Sequence, residues 1–233
     1  MADTKNLAIV GHGKMGRLIE QLSSQHGFHV VVRLNSQSKI TKEAFAGVDV
    51  AIEFTAPQAA TENLIQLASL GVPAVTGTTG WLAHMDAVRN AVEKAGTGLV
   101  WSPNFSVGVA VFRKLAGLAA QLLKSDESYG AWAWEIHHDA KKDAPSGTLL
   151  QLLETMKQNG YTRLIDVSSS RAGKHPGTHE IGFDSAADTI TLRHAARSRE
   201  GFAHGALKAA RWILDRKGVY TFEEVLFGAQ ERT

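Results

Sequence analysis

The sequence predicts an α/β chain in two parts, a doubly wound parallel sheet followed by an α+β domain. Two observations carry this. As far as Trp101, short apolar runs alternate with helical patterns, and the first run ends in the glycine turn Gly11-His12-Gly13-Lys14-Met15-Gly16. Farther on, residues 181–184 and 189–194 read as neighbouring strands with no helix between them, which implies a mainly antiparallel sheet.

Residues 7–10 form the first strand, and Met15, Leu18, Ile19 and Leu22 then share one helical face that stops near Gly27. Strand, glycine turn and helix in that order let a pyrophosphate approach the backbone and the helix N-terminus, so Gly11 to Gly16 are read as a dinucleotide site. The competing reading is a glycine turn that only packs helix on strand. Residues 29–33 form the second strand. A carboxylate near its end usually holds the ribose hydroxyls of NAD, but Leu34-Asn35-Ser36 stand there and no acid occurs before Glu43. Arg33 and Lys39 flank the position, so it admits the 2′-phosphate of NADP; alternatively Arg33 is a solvated charge, and the sequence leaves both open.

Residues 48–55 form a third, mostly apolar strand, as a parallel strand buried on both faces should be. Pro57 suits the first turn of a helix over 59–70. A fourth strand, 72–76, ends in Gly77-Thr78-Thr79-Gly80; a helix over 84–94 and a fifth strand, 98–101, lead to Ser102-Pro103-Asn104-Phe105-Ser106. Ligands bind at the carboxyl ends of such strands, so the loops at Gly11, Asn35, Thr55, Gly77 and Pro103 are placed on one rim. Residues 77–80 and 102–105 are candidates for its nicotinamide end, ordinary turn chemistry being the alternative.

An apolar helix over 106–123 bridges out of this domain. A strand over 129–136 carries Trp132 and Trp134 on one face, as core or interface residues. It runs into the segment from Glu135 to Thr148, which holds two adjacent histidines, two lysines, three carboxylates and a Pro-Ser-Gly-Thr turn. No core-building rule calls for that mixture. Ser146 caps a helix over 146–159, and the amides of Gly147 and Thr148 in its first turn suit a carboxylate or phosphate. An amphipathic helix over 202–214 and a helical tail over 222–227 are expected to return to the first domain. The domain boundaries expected are 1–106, 107–199 and 200–233.

If the first domain holds a nicotinamide cofactor, hydride addition to a conjugated C=N or C=C bond leaves negative charge that needs a proton. His137 or His138 titrates in the right range to supply it, and Lys141 adds a cation or a second proton source. Adjacent histidines on extended chain point to opposite sides, so one of the two faces the reacting atom. His137, His138, His175 and His179 lie in separate segments without an H-E-x-x-H pattern, and no metal site is expected. Among 233 residues 44% are hydrophobic and none is cysteine, which excludes disulfides and thiolate chemistry. A net charge of +2 without basic runs argues against nucleic acid. No apolar run is long enough for a membrane span and no signal peptide is read at the start, so a cytoplasmic protein is expected.

The segment from Glu135 to Thr148 resembles the signature of the dihydrodipicolinate reductase (4-hydroxy-tetrahydrodipicolinate reductase) family. So, in the family's order, do Glu53-Phe54-Thr55-Ala56-Pro57, Gly77-Thr78-Thr79-Gly80, residues 103–109, Arg171-Ala172-Gly173 with Gly177-Thr178-His179, residues 194–199 and residues 202–207. The resemblance spans nearly the whole chain; the central segment is highly specific and the glycine turn is not. It implies a Rossmann-like N-terminal domain closed by the C-terminal helices, and a substrate domain whose mixed, largely antiparallel sheet builds a homotetramer. It implies reduction of 4-hydroxy-tetrahydrodipicolinate, a small dicarboxylate, to tetrahydrodipicolinate by NADPH or NADH, with loss of water. By the same resemblance His137 is the proton donor and Lys141 the second acid. His138, Gly147 and Thr148, with the turn that Ser146 caps, hold substrate. Gly11, His12, Gly13, Lys14, Met15, Gly16, Gly77, Thr78, Thr79, Ser102, Pro103, Asn104 and Phe105 contact the cofactor, and the rim adds Arg33, Asn35 and Thr55. Asn35 stands where many members carry an acid, which leans the chain toward tolerating NADPH.

Overall fold

A computed structural model of the chain describes residues 3–228 and resolves into two compact units. The first runs to Ser106 and resumes at Phe202; the second is Val107–Gly201.

In the first unit β1 (Lys5–Val10) leads through the glycine turn into α1 (Lys14–Ser23), and β2 (Phe28–Leu34) follows. Then come β3 (Val50–Glu53), α2 (Pro57–Ser69), β4 (Ala74–Thr76), α3 (Met85–Ala95) and β5 (Gly98–Trp101). The inner strands are apolar at nearly every position, and Leu7, Ile9, Ile52 and Leu99 are fully buried between the helical layers. Pro57 opens α2, where a missing N–H costs nothing, and Gly96 closes α3 in the left-handed conformation with φ +63°.

The second unit begins with α4 (Val107–Leu123) and continues with β6 (Gly130–His137), α5 (Gly147–Gln158), β7 (Ile165–Arg171), β8 (Thr178–Asp184) and β9 (Thr189–Ala195). The strands form one sheet in the order β7-β6-β8-β9. β6 pairs with β7 in parallel and with β8 antiparallel, so the sheet is mixed. Strand alternation divides β6 between two faces. Ala131, Ala133, Glu135 and His137 are buried, whereas Trp132, Trp134 and Ile136 are half-buried on the other face. Phe112, Ala116, Leu149, Leu152, Met156, Tyr161, Ile181 and Phe183 make the core with α4 and α5.

The chain then returns to the first unit through α6 (Glu200–Ile213), β10 (Gly218–Thr221) and α7 (Phe222–Phe227). The first sheet is thus six-stranded, all parallel, in the order β10-β5-β4-β3-β1-β2. Its order reverses at β1, which puts the topological switch point between the ends of β1 and β3.

Two strands lie where the sequence shows none. β7 contains Ser168, Ser169 and Ser170 and sits at the sheet edge, so neither propensity nor apolar alternation marks it. β10 is four residues between two helices and is held by pairing with β5. β8 also starts earlier than position 181, because Thr178 and His179 are drawn into the buried interior.

Candidate active site

The glycine turn follows from close approach. A Cβ on Gly11 would lie 2.1 Å from the Phe54 carbonyl oxygen, and one on Gly16 would lie 2.4 Å from the Gly11 carbonyl oxygen. Gly11 therefore lets the turn cross beside the end of β3, and Gly16 lets α1 pack down on the turn. Gly13 is different: a Cβ there meets nothing within 4 Å, and as N-cap of α1 it provides no side-chain bond to the first turn. The first turn of α1 thus has room and free donors for a phosphate, so these residues fit a dinucleotide. A cleft in this unit is lined by Gly13 to Met15, by Phe54, Thr55 and Pro57, and by Gly77 to Thr79.

The other predicted cofactor residues of this unit fall into three groups. Arg33 is not free: its Nε donates to Glu20 at 2.6 Å, and Glu20 also lies 2.6 Å from His12 Nε2. A carboxylate from α1 thus stands beside the end of β2, where the strand itself lacks one. Asn35 turns its side chain back, accepting the Gln37 N–H at 2.9 Å and the Ser38 hydroxyl at 3.1 Å. Thr55 and Thr78 flank the cleft together with exposed Thr79, and the Phe54 ring covers Gly77 so closely that a Cβ there would meet it at 2.1 Å. In the last loop Ser102 is buried and its hydroxyl donates to the Asn104 carbonyl at 2.7 Å. Phe105 is buried beside Phe222, with Pro103 exposed on the loop.

In the second unit the buried face of β6 ends in a charged cluster. Glu135 has no exposed surface. Its Oε1 accepts the Ser146 N–H at 2.8 Å, the Ser169 hydroxyl at 3.0 Å and Arg171 Nη2 at 2.9 Å. Its Oε2 lies 3.3 Å from His137 Nδ1 and 3.3 Å from His179 Nε2. Burial alone would raise the Glu135 carboxyl, but the bonds from Ser146, Arg171 and Ser169 outweigh it and hold it at about 2. Burial pushes His179 down to about 4, with His137 adding to the effect. Burial also lowers His137, opposed by Glu135 and assisted by Lys141 and Arg171. The His137 and His179 rings meet edge to face with centroids 5.1 Å apart. His137 has room because of Gly177, where a Cβ would lie 2.9 Å from the imidazole Nε2. Glu135, His137 and His179 also offer ligand atoms close enough together for a metal, though Arg171 already bonds to the carboxylate.

Ser146 caps α5 by accepting the Leu149 N–H at 3.2 Å, but its other contacts are internal: its N–H serves Glu135, and its hydroxyl lies 3.1 Å from His179 Nε2. Gly147 is exposed beside half-buried Thr148. His138 is half-buried, and Lys141 pairs with Asp143 at 2.8 Å. Sequence reasoning assigns no role to Glu135, Arg171 or Ser169 and weighs His179 only as a metal ligand, although Glu135, Arg171 and His179 lie in segments that carry the family resemblance. Glu135 was within reach, since it shares a strand face with His137 two residues on. The other three arrive from β7 and β8, through pairings that local patterning does not show.

Residues 5–105 match the family model described as dihydrodipicolinate reductase, N-terminus, and residues 108–226 match dihydrodipicolinate reductase, C-terminus. A 4-hydroxy-tetrahydrodipicolinate reductase of Christiangramia forsetii is 34% identical over 232 residues, covering 95% of this chain and 97% of that protein. One of Thermosipho africanus is 34% identical, covering 92% of this chain and 94% of that protein. Among solved structures, a dipicolinate-bound dihydrodipicolinate reductase of a Paenisporosarcina species superposes with TM-score 0.82 at 22% identity, covering 95% of this chain and 99% of that one.

Proposed function

This chain belongs to the dihydrodipicolinate reductase family, and we propose that it reduces 4-hydroxy-tetrahydrodipicolinate to tetrahydrodipicolinate at the expense of NADH or NADPH. Net, one hydride and one proton are added and one water leaves. Bound, the reduced nicotinamide supplies the hydride. The chain's own residues bind, orient and manage the proton.

The observation that carries the reading is the placement of His137. Its Nδ1 lies 3.3 Å from Glu135 Oε2 without the alignment of a hydrogen bond, so the carboxylate acts on that side of the ring through its charge. Nε2 is then the position that gives up a proton from the charged ring. Burial lowers His137, so the charged form is a strong donor, and an anionic substrate beside it restores the proton that burial disfavours. Lys141 is the second cation, with Asp143 holding it in the loop. The first turn of α5, at Gly147 and Thr148, receives a substrate carboxylate with His138. Ser146 acts from beneath, fixing that turn to Glu135 and His179.

On the cofactor side, the first turn of α1 with Gly11, His12, Gly13, Lys14, Met15 and Gly16 takes the pyrophosphate. Thr55, residues 77–79 and residues 102–105 take the nicotinamide half, and Arg33 and Asn35 the adenosine ribose. The half-buried indoles of Trp132 and Trp134 support a subunit interface on the outer sheet face, as part of a homotetramer. Among the described residues no helix is long and apolar enough to cross a membrane, and a cytoplasmic location belongs to the same reading.

The test is a coupled assay in which the preceding enzyme makes the substrate from pyruvate and aspartate semialdehyde. Oxidation of reduced cofactor should require that substrate, and amino or hydroxy acids offered with oxidised cofactor should not reduce it. Reduction of NAD+ or NADP+ by an amino or hydroxy acid, with no activity on that substrate, would point to a different two-domain oxidoreductase.

A further inference from the structure

Glu53, the last residue of β3, has no exposed surface and is surrounded by hydroxyls. Its Oε1 accepts the Thr55 N–H at 3.1 Å, the Thr78 hydroxyl at 3.0 Å and the Thr55 hydroxyl; its Oε2 accepts the Thr76 hydroxyl at 2.5 Å. No ion pair to Glu53 occurs among the described residues. A carboxylate only accepts hydrogen bonds, and a hydroxyl has one proton to give. Each of the three threonines therefore directs its only proton at Glu53. The remaining lone pairs of Thr55 and Thr78 can only receive. One on Thr78 takes the Thr55 N–H at 2.8 Å, and one on Thr55 takes Asn63 Nδ2 at 3.3 Å. Both threonines line the cleft between the glycine turn and the end of β4.

We propose that Glu53 is a positioning residue that makes the rim at the ends of β3 and β4 an obligate hydrogen-bond acceptor. That polarity selects a donor on the nicotinamide half of the cofactor, a carboxamide N–H or a ribose hydroxyl. The inference rests on the reductase reading, because it takes the cleft to hold a nicotinamide dinucleotide. A buried acceptor set in place by a carboxylate discriminates well, since a ligand without the donor leaves it unpaired. The role is separable from mere packing, because an amide oxygen can replace Oε1 while a thioether cannot.

The experiment is fluorescence titration of NADH and NADPH, without substrate, against wild type, Glu53→Gln and Glu53→Met. Glu53→Met should weaken binding by about tenfold or more, and Glu53→Gln should stay within about threefold of wild type. If Glu53→Met does not fold, Thr78→Val against Thr78→Ser makes the same comparison, with loss expected only for valine. An acetylpyridine analogue of the cofactor, which lacks the carboxamide N–H, identifies the donor. Loss of the variant's effect with the analogue assigns the carboxamide, and persistence assigns the ribose. Binding by Glu53→Met or Thr78→Val within about threefold of wild type overturns the proposal, as does an equal loss in Glu53→Gln and Glu53→Met. Absence of cofactor binding by wild type is a distinct result, which overturns the reductase reading and this inference with it.

Discussion

Glu53 and Glu135 are both buried glutamates near the ends of strands, and their surroundings divide the labour of the molecule. Glu53 accepts from three hydroxyls and one amide, and among the described residues no ion pair reaches it. Glu135 accepts from an arginine and stands between two imidazoles. A carboxylate among hydroxyls fixes the direction of hydrogen bonds. A carboxylate among titratable groups fixes charge, and so governs a proton. The first arrangement suits recognition of a ligand and the second suits acid–base work, which is how the cofactor rim and the β6 cluster are read.

That contrast predicts which changes move turnover and which move cofactor binding. The largest effect should come from the cluster: His137→Gln should cut kcat by about 10²–10⁴-fold, and Lys141→Ala similarly, with the Kd for cofactor unchanged. A comparable loss of cofactor affinity in either variant would break the division. Next, Gly177→Ala should lower kcat by roughly 10-fold to 10²-fold, because its Cβ would meet His137 Nε2 at 2.9 Å and displace the ring. Steady-state kinetics showing wild-type kcat would mean the imidazole position is not critical.

Acid stability reports on the β6 cluster. Glu135 is held at about 2 against an ordinary 4.5, so the stability it contributes is present above pH 4.5 and is lost as pH falls through 2. His179 is held at about 4 against 6.5, so folding loses stability as pH falls from 6.5 through 4. Denaturant unfolding should therefore report a loss of roughly 2–3 kcal/mol between about pH 7 and pH 4 from His179 alone. His179→Gln should flatten that slope; a slope identical to wild type would remove His179 from the account. The smallest effect belongs to the partly exposed trio of His12, Glu20 and Arg33 beside the end of β2. Glu20→Gln releases Arg33 and should move the NADPH-to-NADH affinity ratio upward by about threefold, as suits a partly exposed ion pair. An unchanged or reversed ratio would place the 2′ position elsewhere.

Most of the first unit is legible in the sequence because its signals are local. Apolar strands, the glycine turn and Pro57 each state their own place in a parallel sheet. The candidate site is only half legible. Ser146 as a helix cap and the opposite facing of His137 and His138 follow from local geometry. The partners that give His137 its environment do not. Arg171 is at the end of a serine-rich edge strand, and His179 faces Glu135 only through the antiparallel register of β6 and β8. Arg33 shows the same limit: nothing near it in sequence reveals that Glu20, on the preceding helix, is its partner.

The pH dependence of kcat/KM tests the central claim most directly, because it reports groups of the free enzyme. If His137 supplies the proton, kcat/KM falls with rising pH along a limb whose midpoint lies below 6.5, and His137→Gln, still binding cofactor, lacks that limb. A limb of the same midpoint in wild type and His137→Gln would contradict the account.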